Sequence, residues 1–304
     1  MICNVASLLT SRRRALYIIY SSIHALGIAW GMVAAVRGYK AIQVIPEPYS
    51  VERRALMMAM GVEVIVTSKE SGIPGCISKY NEILSKYGDK GWSPNQMANP
   101  VNPTAHYQHT GPEIWEQTGG KVDVVVAAYG TGGTISGVTK YLREMNPDLL
   151  CVVVEPMEQS MLNGDDATKH HGIQGIAPPF VPENVDVSLI DEVIRCTTDD
   201  AIKTAHDLAR LDGIACGISS GSNVWAACQV AKRPEMAGKR VVTFLPSAAE
   251  RYFSTPLYND LMEAVQNIKF AEIDKKYGQE GFNLRNLESI KESGTIFRPN
   301  FHVT

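Results

Sequence analysis

"VDVVVAAYGTGGTISGV", residues 122–138, decides the fold. Val122 to Ala128 is an apolar, β-branched run of strand character, and Ile135 to Met145 has helical spacing. Gly130, Gly132 and Gly133 lie between them. A glycine-rich turn feeding a helix N-terminus offers backbone N–H groups to an anion, each charge-assisted hydrogen bond contributing ~1.5–3 kcal/mol. A phosphate is the natural guest. The Walker pattern is absent, because no Gly-Lys-Ser/Thr follows. A dinucleotide fingerprint comes nearer: Gly130 and Gly132 supply G-x-G, and Glu155 ends the next strand where a ribose-binding acid would sit. Its third small position, however, falls on Ile135. With Thr131 and Thr134 among them, the glycines read instead as a cup around one terminal phosphate monoester. A tight turn without a ligand is the bland alternative.

Outward from this unit, short apolar strands alternate with amphipathic helices. Residues 41–46 and 62–67 read as strands. "SVERRALMMAMG" (50–61) between them reads as a helix, with Ser50 a candidate N-cap and Gly61 a candidate C-cap. A helix over 76–88, a Pro/Asn-rich loop over 93–103 and a helix over 111–120 follow. Past the glycine loop come a strand from Leu149 to Val154, a helix over 197–213, a helix over 220–233 and a buried strand over 240–246. Strands alternating with helices imply an α/β fold with parallel sheet covered by helices on both faces.

The N-terminus departs from this pattern. From Ala15 to Val36 run 22 residues without a formal charge, behind Arg12, Arg13 and Arg14. A membrane span, a signal sequence and a mitochondrial transit peptide all compete here. Ser21, Ser22, His24 and the Gly/Ala pairs dilute the run, so a buried helix of an α/β domain is the favoured reading.

Bulk properties narrow the function. A net charge of −3 over 304 residues leaves no basic field to draw in nucleic acid. The six cysteines are widely spaced without a C-x-x-C pair, and the seven histidines have no ligand spacing. Neither a disulfide framework nor a metal site is expected, and a reducing, cytoplasmic setting fits best, with a mitochondrial one as the alternative.

Several separate stretches carry a resemblance: "YSVERRALMMAMGVEVIVT" (49–67), "NPVNPTAHYQHTGPEIWEQTGG" (99–120), "YGTGGTISGV" (129–138), "CGISSGSN" (216–223), "AKRPEMAGKRVV" (231–242) and "LPSAAERYFST" (245–255). From about Gly38 to Tyr258 the chain resembles cysteine synthase and its relatives, the pyridoxal-phosphate-dependent enzymes of fold type II. The resemblance implies a two-domain α/β fold with the cofactor in the cleft. It would divide into a divergent segment (1–19), a smaller domain (20–103), a large cofactor domain (104–258) and a C-terminal extension (259–304). By matching motif, Gly130, Thr131, Gly132, Gly133 and Thr134 would hold the 5′-phosphate of pyridoxal phosphate, and Ser219 would face the pyridine nitrogen. A neutral hydroxyl there leaves the ring unprotonated, which suits β-elimination from an activated serine. Ser219 also reads as an N-cap hydroxyl. Gln96 would meet the substrate carboxylate, ahead of Met97 where the family has an aromatic. The implied partners are an amino-acid-type small molecule and a second copy of the chain, with a peptide in the cleft as a further possibility.

Two departures bear on chemistry. The family's cofactor-bonding lysine lies in a Ser-Val-Lys-Asp-Arg type segment upstream of its substrate loop, and residues 1–39 contain no lysine. Binding of the cofactor is therefore expected without covalent attachment. The family's substrate loop, Thr-Ser-Gly-Asn-Thr-Gly, falls on Ser22, Ile23, His24, Ala25, Leu26 and Gly27, which removes the asparagine and most of the carboxylate cradle. Farther on, Ala177, Pro178 and Pro179 replace a glycine-rich turn, and Ala249 replaces the glycine before "ERY". These changes point to an N-terminally truncated or diverged member impaired in β-replacement. The alternatives are a non-catalytic regulatory or interaction protein using the old cleft and, from Gly130, Gly132 and Glu155, a Rossmann-like nucleotide binder.

Overall fold

The computed structural model describes residues 17–21, 25–166 and 170–268. The chain divides into two compact units, Met1–Leu257 and Tyr258–Thr304. The second has one described helix, Asn259–Gln266.

The first unit is built on two four-stranded sheets, parallel at every pair. In the first, β1 (Tyr17–Ser21), β2 (Lys40–Pro46), β3 (Glu63–Thr67) and β4 (Gly91–Trp92) take the order β3-β2-β1-β4. Helices α1 (Ala25–Arg37), α2 (Val51–Ala59) and α3 (Gly72–Tyr87) connect them. Alternation along β1 sorts its side chains between two cores. Ile18 and Tyr20 join Trp30 of α1 and Met57 of α2, while Ile19 joins Cys76 and Ile83 of α3.

The apolar run 15–36 is thus not one buried helix. It splits into β1 and α1, because Tyr17, Ile18, Ile19 and Tyr20 are aromatic and β-branched residues that suit a central strand. Pairing with both β2 and β4 buries the middle three completely or nearly so. Hydrophobicity alone cannot separate a buried strand from a buried helix. No described helix is long and apolar enough to cross a membrane.

The loop expected over 93–103 ends early. Helix α4 (Val101–Ala105) runs through a single π-helical turn, His106–Thr110, into α5 (Gly111–Gln117). The second sheet contains β5 (Val124–Ala128), β6 (Leu150–Pro156), β7 (Glu192–Cys196) and β8 (Val241–Thr243) in the order β7-β6-β5-β8. Its helices are α6 (Gly133–Met145), α7 (Thr198–Leu211) and α8 (Ile218–Ala231). Gly61 has φ +80° after α2, as a helix-terminating glycine should. Ser50 precedes α2 but does not cap it; its hydroxyl instead accepts a hydrogen bond from Arg53 Nη1 at 2.8 Å.

Candidate functional site: an anion cup at the end of β5

The central strand β5 ends at Ala128, and the chain turns through Tyr129–Gly132 into α6. Gly132 has φ +87°, and a Cβ there would come within 2.4 Å of Val185, so the turn requires glycine on both counts. Helix α6 starts at Gly133 without a side-chain cap. The N–H groups of Thr131, Gly132, Thr134 and Ile135 have no acceptor among the described residues. That of Gly133 reaches Thr131 Oγ1 only at 3.4 Å. Unsatisfied amides at a helix N-terminus, together with the helix dipole, make a seat for negative charge.

Two side chains from the α4 region fix the hydroxyls of this cup. Asn102 Nδ2 donates to Thr131 Oγ1 at 2.8 Å and to the carbonyl of Gln96 at 3.0 Å. His106 Nε2 lies 3.1 Å from Thr134 Oγ1, and its Nδ1 lies 3.0 Å from Thr110 Oγ1. A neutral imidazole has one donor and one acceptor nitrogen, so one threonine hydroxyl donates to the ring and the other accepts from it. Burial holds the His106 imidazole at about 4, well below its ordinary 6.5, so it is neutral at physiological pH. Because the unfolded chain takes up that proton first, the cost to stability is absent above pH 6.5 and grows as pH falls toward 4. The melting temperature is therefore expected to drop more steeply over this window in the wild-type chain than in His106→Gln, as thermal scans across pH would record.

Gln96 stands beside the cup through its backbone. Its carbonyl also accepts from Asn184 Nδ2 at 2.8 Å, and the Asn184 N–H donates to the Met97 carbonyl at 3.2 Å. Ser219, 6% exposed, is the second residue of α8. It is not an N-cap, since Gly217 occupies that position. Its hydroxyl has no hydrogen-bond partner among the described residues, although its carbonyl accepts from Ser222 Oγ at 2.9 Å. One turn along α8, Asn223 Oδ1 accepts from the Ala128 N–H at 2.8 Å and its Nδ2 donates to the Phe244 carbonyl at 2.9 Å. This bond pins α8 to the end of β5, one turn from Ser219. Asn102 joins the Gln96 backbone to Thr131 of the cup, and the tie of α8 to the same strand end is the Asn223–Ala128 bond.

Other expectations fare differently. Glu155 is wholly buried, and its carboxylate accepts from Tyr129 Oη at 2.6 Å, from the Ser160 hydroxyl and from the Leu162 N–H. It braces the 155–162 turn from inside and does not face a ribose, which removes the geometric basis of the dinucleotide reading. Ser22, Ile23 and His24 lie outside the described residues, while Ala25 and Leu26 open α1 and Gly27 follows in its first turn. The Gly27 carbonyl accepts from Tyr20 Oη at 2.9 Å.

Ala177 has φ +41°, held there by its N–H donating to the Tyr129 carbonyl at 2.8 Å. An L-residue in the left-handed region is strained by ~1–2 kcal/mol. Ala177→Gly should therefore gain up to about 1 kcal/mol after the entropy cost of glycine. A higher urea midpoint would register it. Beside this turn, Pro179 and Phe180 face Ile73, Pro74 and Ile77 of α3 across a groove of about 500 Å³.

Asn102, His106, Asn184 and Asn223 were not singled out from the sequence. Asn102 and His106 stand inside "NPVNPTAHYQHTGPE", but their partners are 29 and 28 residues away in the chain. Only the tertiary fold brings them to the cup.

Comparison with known proteins agrees with this geometry. The family model described as pyridoxal-phosphate dependent enzyme matches residues 5–247. The match begins well upstream of Gly38, so part of the divergent N-terminal segment falls within it. Cysteine synthase 3 of Caenorhabditis elegans is 47% identical over 253 residues, covering 83% of this chain and 74% of that protein. Cysteine synthase A of Escherichia coli is 43% identical over 242 residues, covering 77% and 75%. The crystal structure of cysteine synthase from Entamoeba histolytica superposes with a TM-score of 0.80 at 38% identity, covering 88% of this chain and 81% of that one. With open amides and two preset hydroxyls, the cup fits the phosphate end of pyridoxal phosphate. The chain belongs to the pyridoxal-phosphate-dependent enzymes of fold type II, on their cysteine synthase branch.

Proposed function

We propose that this is a cysteine-synthase-like protein of cysteine biosynthesis that binds pyridoxal phosphate without bonding it, and that is impaired in β-replacement on O-acetylserine or serine with sulfide. The observation that carries this reading is the cup: four amides without acceptors among the described residues around Thr131 and Thr134. Bound pyridoxal phosphate supplies an electron sink for bonds at a substrate's α-carbon. The chain's own residues would do the rest. The amides of Gly130–Thr134 would hold the phosphate, Asn102 and His106 would keep the two threonine hydroxyls aimed, and Ser219 would donate to the ring nitrogen. Gln96 would meet the substrate carboxylate from the loop whose backbone Asn102 and Asn184 clamp.

What this chain leaves unmatched is the family's base, since residues 1–39 hold no lysine. The first lysine, Lys40, starts β2, and its ammonium lies over the Tyr17 ring, 5.5 Å from the centroid. Tyr17 starts β1, so Lys40 is at the strand end opposite α1. It cannot take a proton at a substrate bound beside the cup. A missing general base lowers turnover by on the order of 10²–10⁴-fold. Cysteine formation from O-acetylserine and sulfide, assayed with saturating pyridoxal phosphate, should therefore fall at least that far below an active relative. Turnover equal to the relative's would overturn the impairment.

In this reading the first sheet, apart from the start of β1, belongs to a smaller domain (20–103) and the second to a large cofactor domain (104–258), the protein is cytoplasmic, and the functional unit is a homodimer. The altered residues 22–27 favour a second reading, a non-catalytic protein whose cleft takes a peptide. A pull-down at cellular concentration that recovers no specific partner would count against it.

A further inference from the structure

Helix α2 belongs to the first sheet, yet it carries a buried cation toward the entry of α8. Arg53 is 1% exposed. Its Nη1 donates to Ser50 Oγ at 2.8 Å and to the Arg251 carbonyl at 3.3 Å, and its guanidinium lies 4.6 Å from the centroid of the Tyr252 ring. Tyr252 is itself fully buried. Its hydroxyl is 2.7 Å from Ser247 Oγ, and the Ser247 carbonyl accepts from the Gly217 N–H at 2.9 Å. The Tyr252 ring lies so close to Gly217 that a Cβ there would come within 2.3 Å of it. Gly217 is the N-cap of α8, two residues before Ser219. Outside the cation, the same end of α2 is docked by Glu52, whose carboxylate accepts from the Ser254 N–H at 2.9 Å and from its hydroxyl at 2.7 Å.

We propose that Arg53 is a positioning residue for the pyridine end of the cofactor site: through Tyr252 it sets the entry of α8, and with it the place of Ser219. Helix α2 is thereby tied to the ring seat. The cup is held by separate contacts, from Asn102 and His106. A guanidinium suits this task because it stacks on a ring face and donates in fixed directions at once.

This inference rests on the cofactor reading given above, and the two fail differently. Binding of pyridoxal phosphate and of inorganic phosphate to the full chain would be measured for wild type, Arg53→Met, Arg53→Lys and Tyr252→Phe. Arg53→Met is expected to weaken pyridoxal phosphate by about tenfold and leave inorganic phosphate unchanged. Arg53→Lys, which keeps a cation over Tyr252, should recover part of the loss, and Tyr252→Phe should lose about threefold through its broken link to Ser247. Equal affinity of Arg53→Met and wild type for pyridoxal phosphate would overturn the proposal. So would a matched loss of both ligands, the mark of a merely structural role. Should Arg53→Met not fold, Tyr252→Phe decides by the same criteria. A wild-type chain that binds neither ligand would instead overturn the cofactor reading on which the proposal stands.

Discussion

Gly133→Ala is expected to weaken pyridoxal phosphate binding by about 100-fold, close to 2.7 kcal/mol. A Cβ at this position would lie 2.0 Å from Asn102 Oδ1 and 2.9 Å from its Nδ2. Asn102 cannot stay, because one amide holds both Thr131 and the Gln96 carbonyl. Moving it would free the Thr131 hydroxyl and push back the first turn of α6, whose amides face the phosphate. Each charge-assisted hydrogen bond lost there is worth ~1.5–3 kcal/mol, so losing one or two accounts for the effect. Titration by fluorescence would measure it. Unchanged affinity would mean that the phosphate does not sit on these amides.

The second large effect concerns stability. Gly221→Ala is expected to destabilise the fold by about 3 kcal/mol, because overpacking at a backbone contact reaches the top of the usual range. In α8, a Cβ on Gly221 would lie 2.0 Å from the Ala201 carbonyl oxygen and 2.9 Å from the Ala205 nitrogen of α7. Neither is the end of a flexible side chain that could swing away. The helices would have to separate, taking Asn223 from Ala128 and so loosening α8 over β5. Urea unfolding should show a lower midpoint, and pyridoxal phosphate affinity should fall with it, since Ser219 shares the helix. A variant as stable as wild type would show that the helix pair is not packed this closely.

Much of the architecture was legible because local chemistry and tertiary structure agree. The β5–turn–α6 unit has β-branched residues, then glycines, then helical periodicity, and each part adopts its preferred state. The strand at 40–46 and the helix at 51–59 were readable for the same reason. The split of 15–36 into β1 and α1 was not, because full burial removes the polar alternation that separates strand from helix. Nor was the helical start at Val101, since a Pro/Asn-rich stretch carries loop chemistry even where two of its prolines sit at or near a helix start.

At the candidate site the glycines stood out by pattern and Ser219 through the family resemblance, whereas the groups that orient Thr131 and Thr134 did not. Glu155 shows the opposite error. Its position at a strand end suited a ribose, but the sequence gives no sign that Tyr129 and Ser160 consume its carboxylate. Hydrogen bonds between residues far apart in the chain are decided by the fold, and a single sequence does not display them.

The central claim of the proposed function is that the described residues keep a phosphate seat and place no amine to capture the cofactor's aldehyde. Its most direct test is the intact mass of the protein after saturation with pyridoxal phosphate and reduction with borohydride, with equilibrium dialysis on the same sample. The expected result is about one cofactor bound per chain before reduction and an unchanged protein mass after denaturation. A mass increase that maps to a lysine, or no retained cofactor in dialysis, would contradict it.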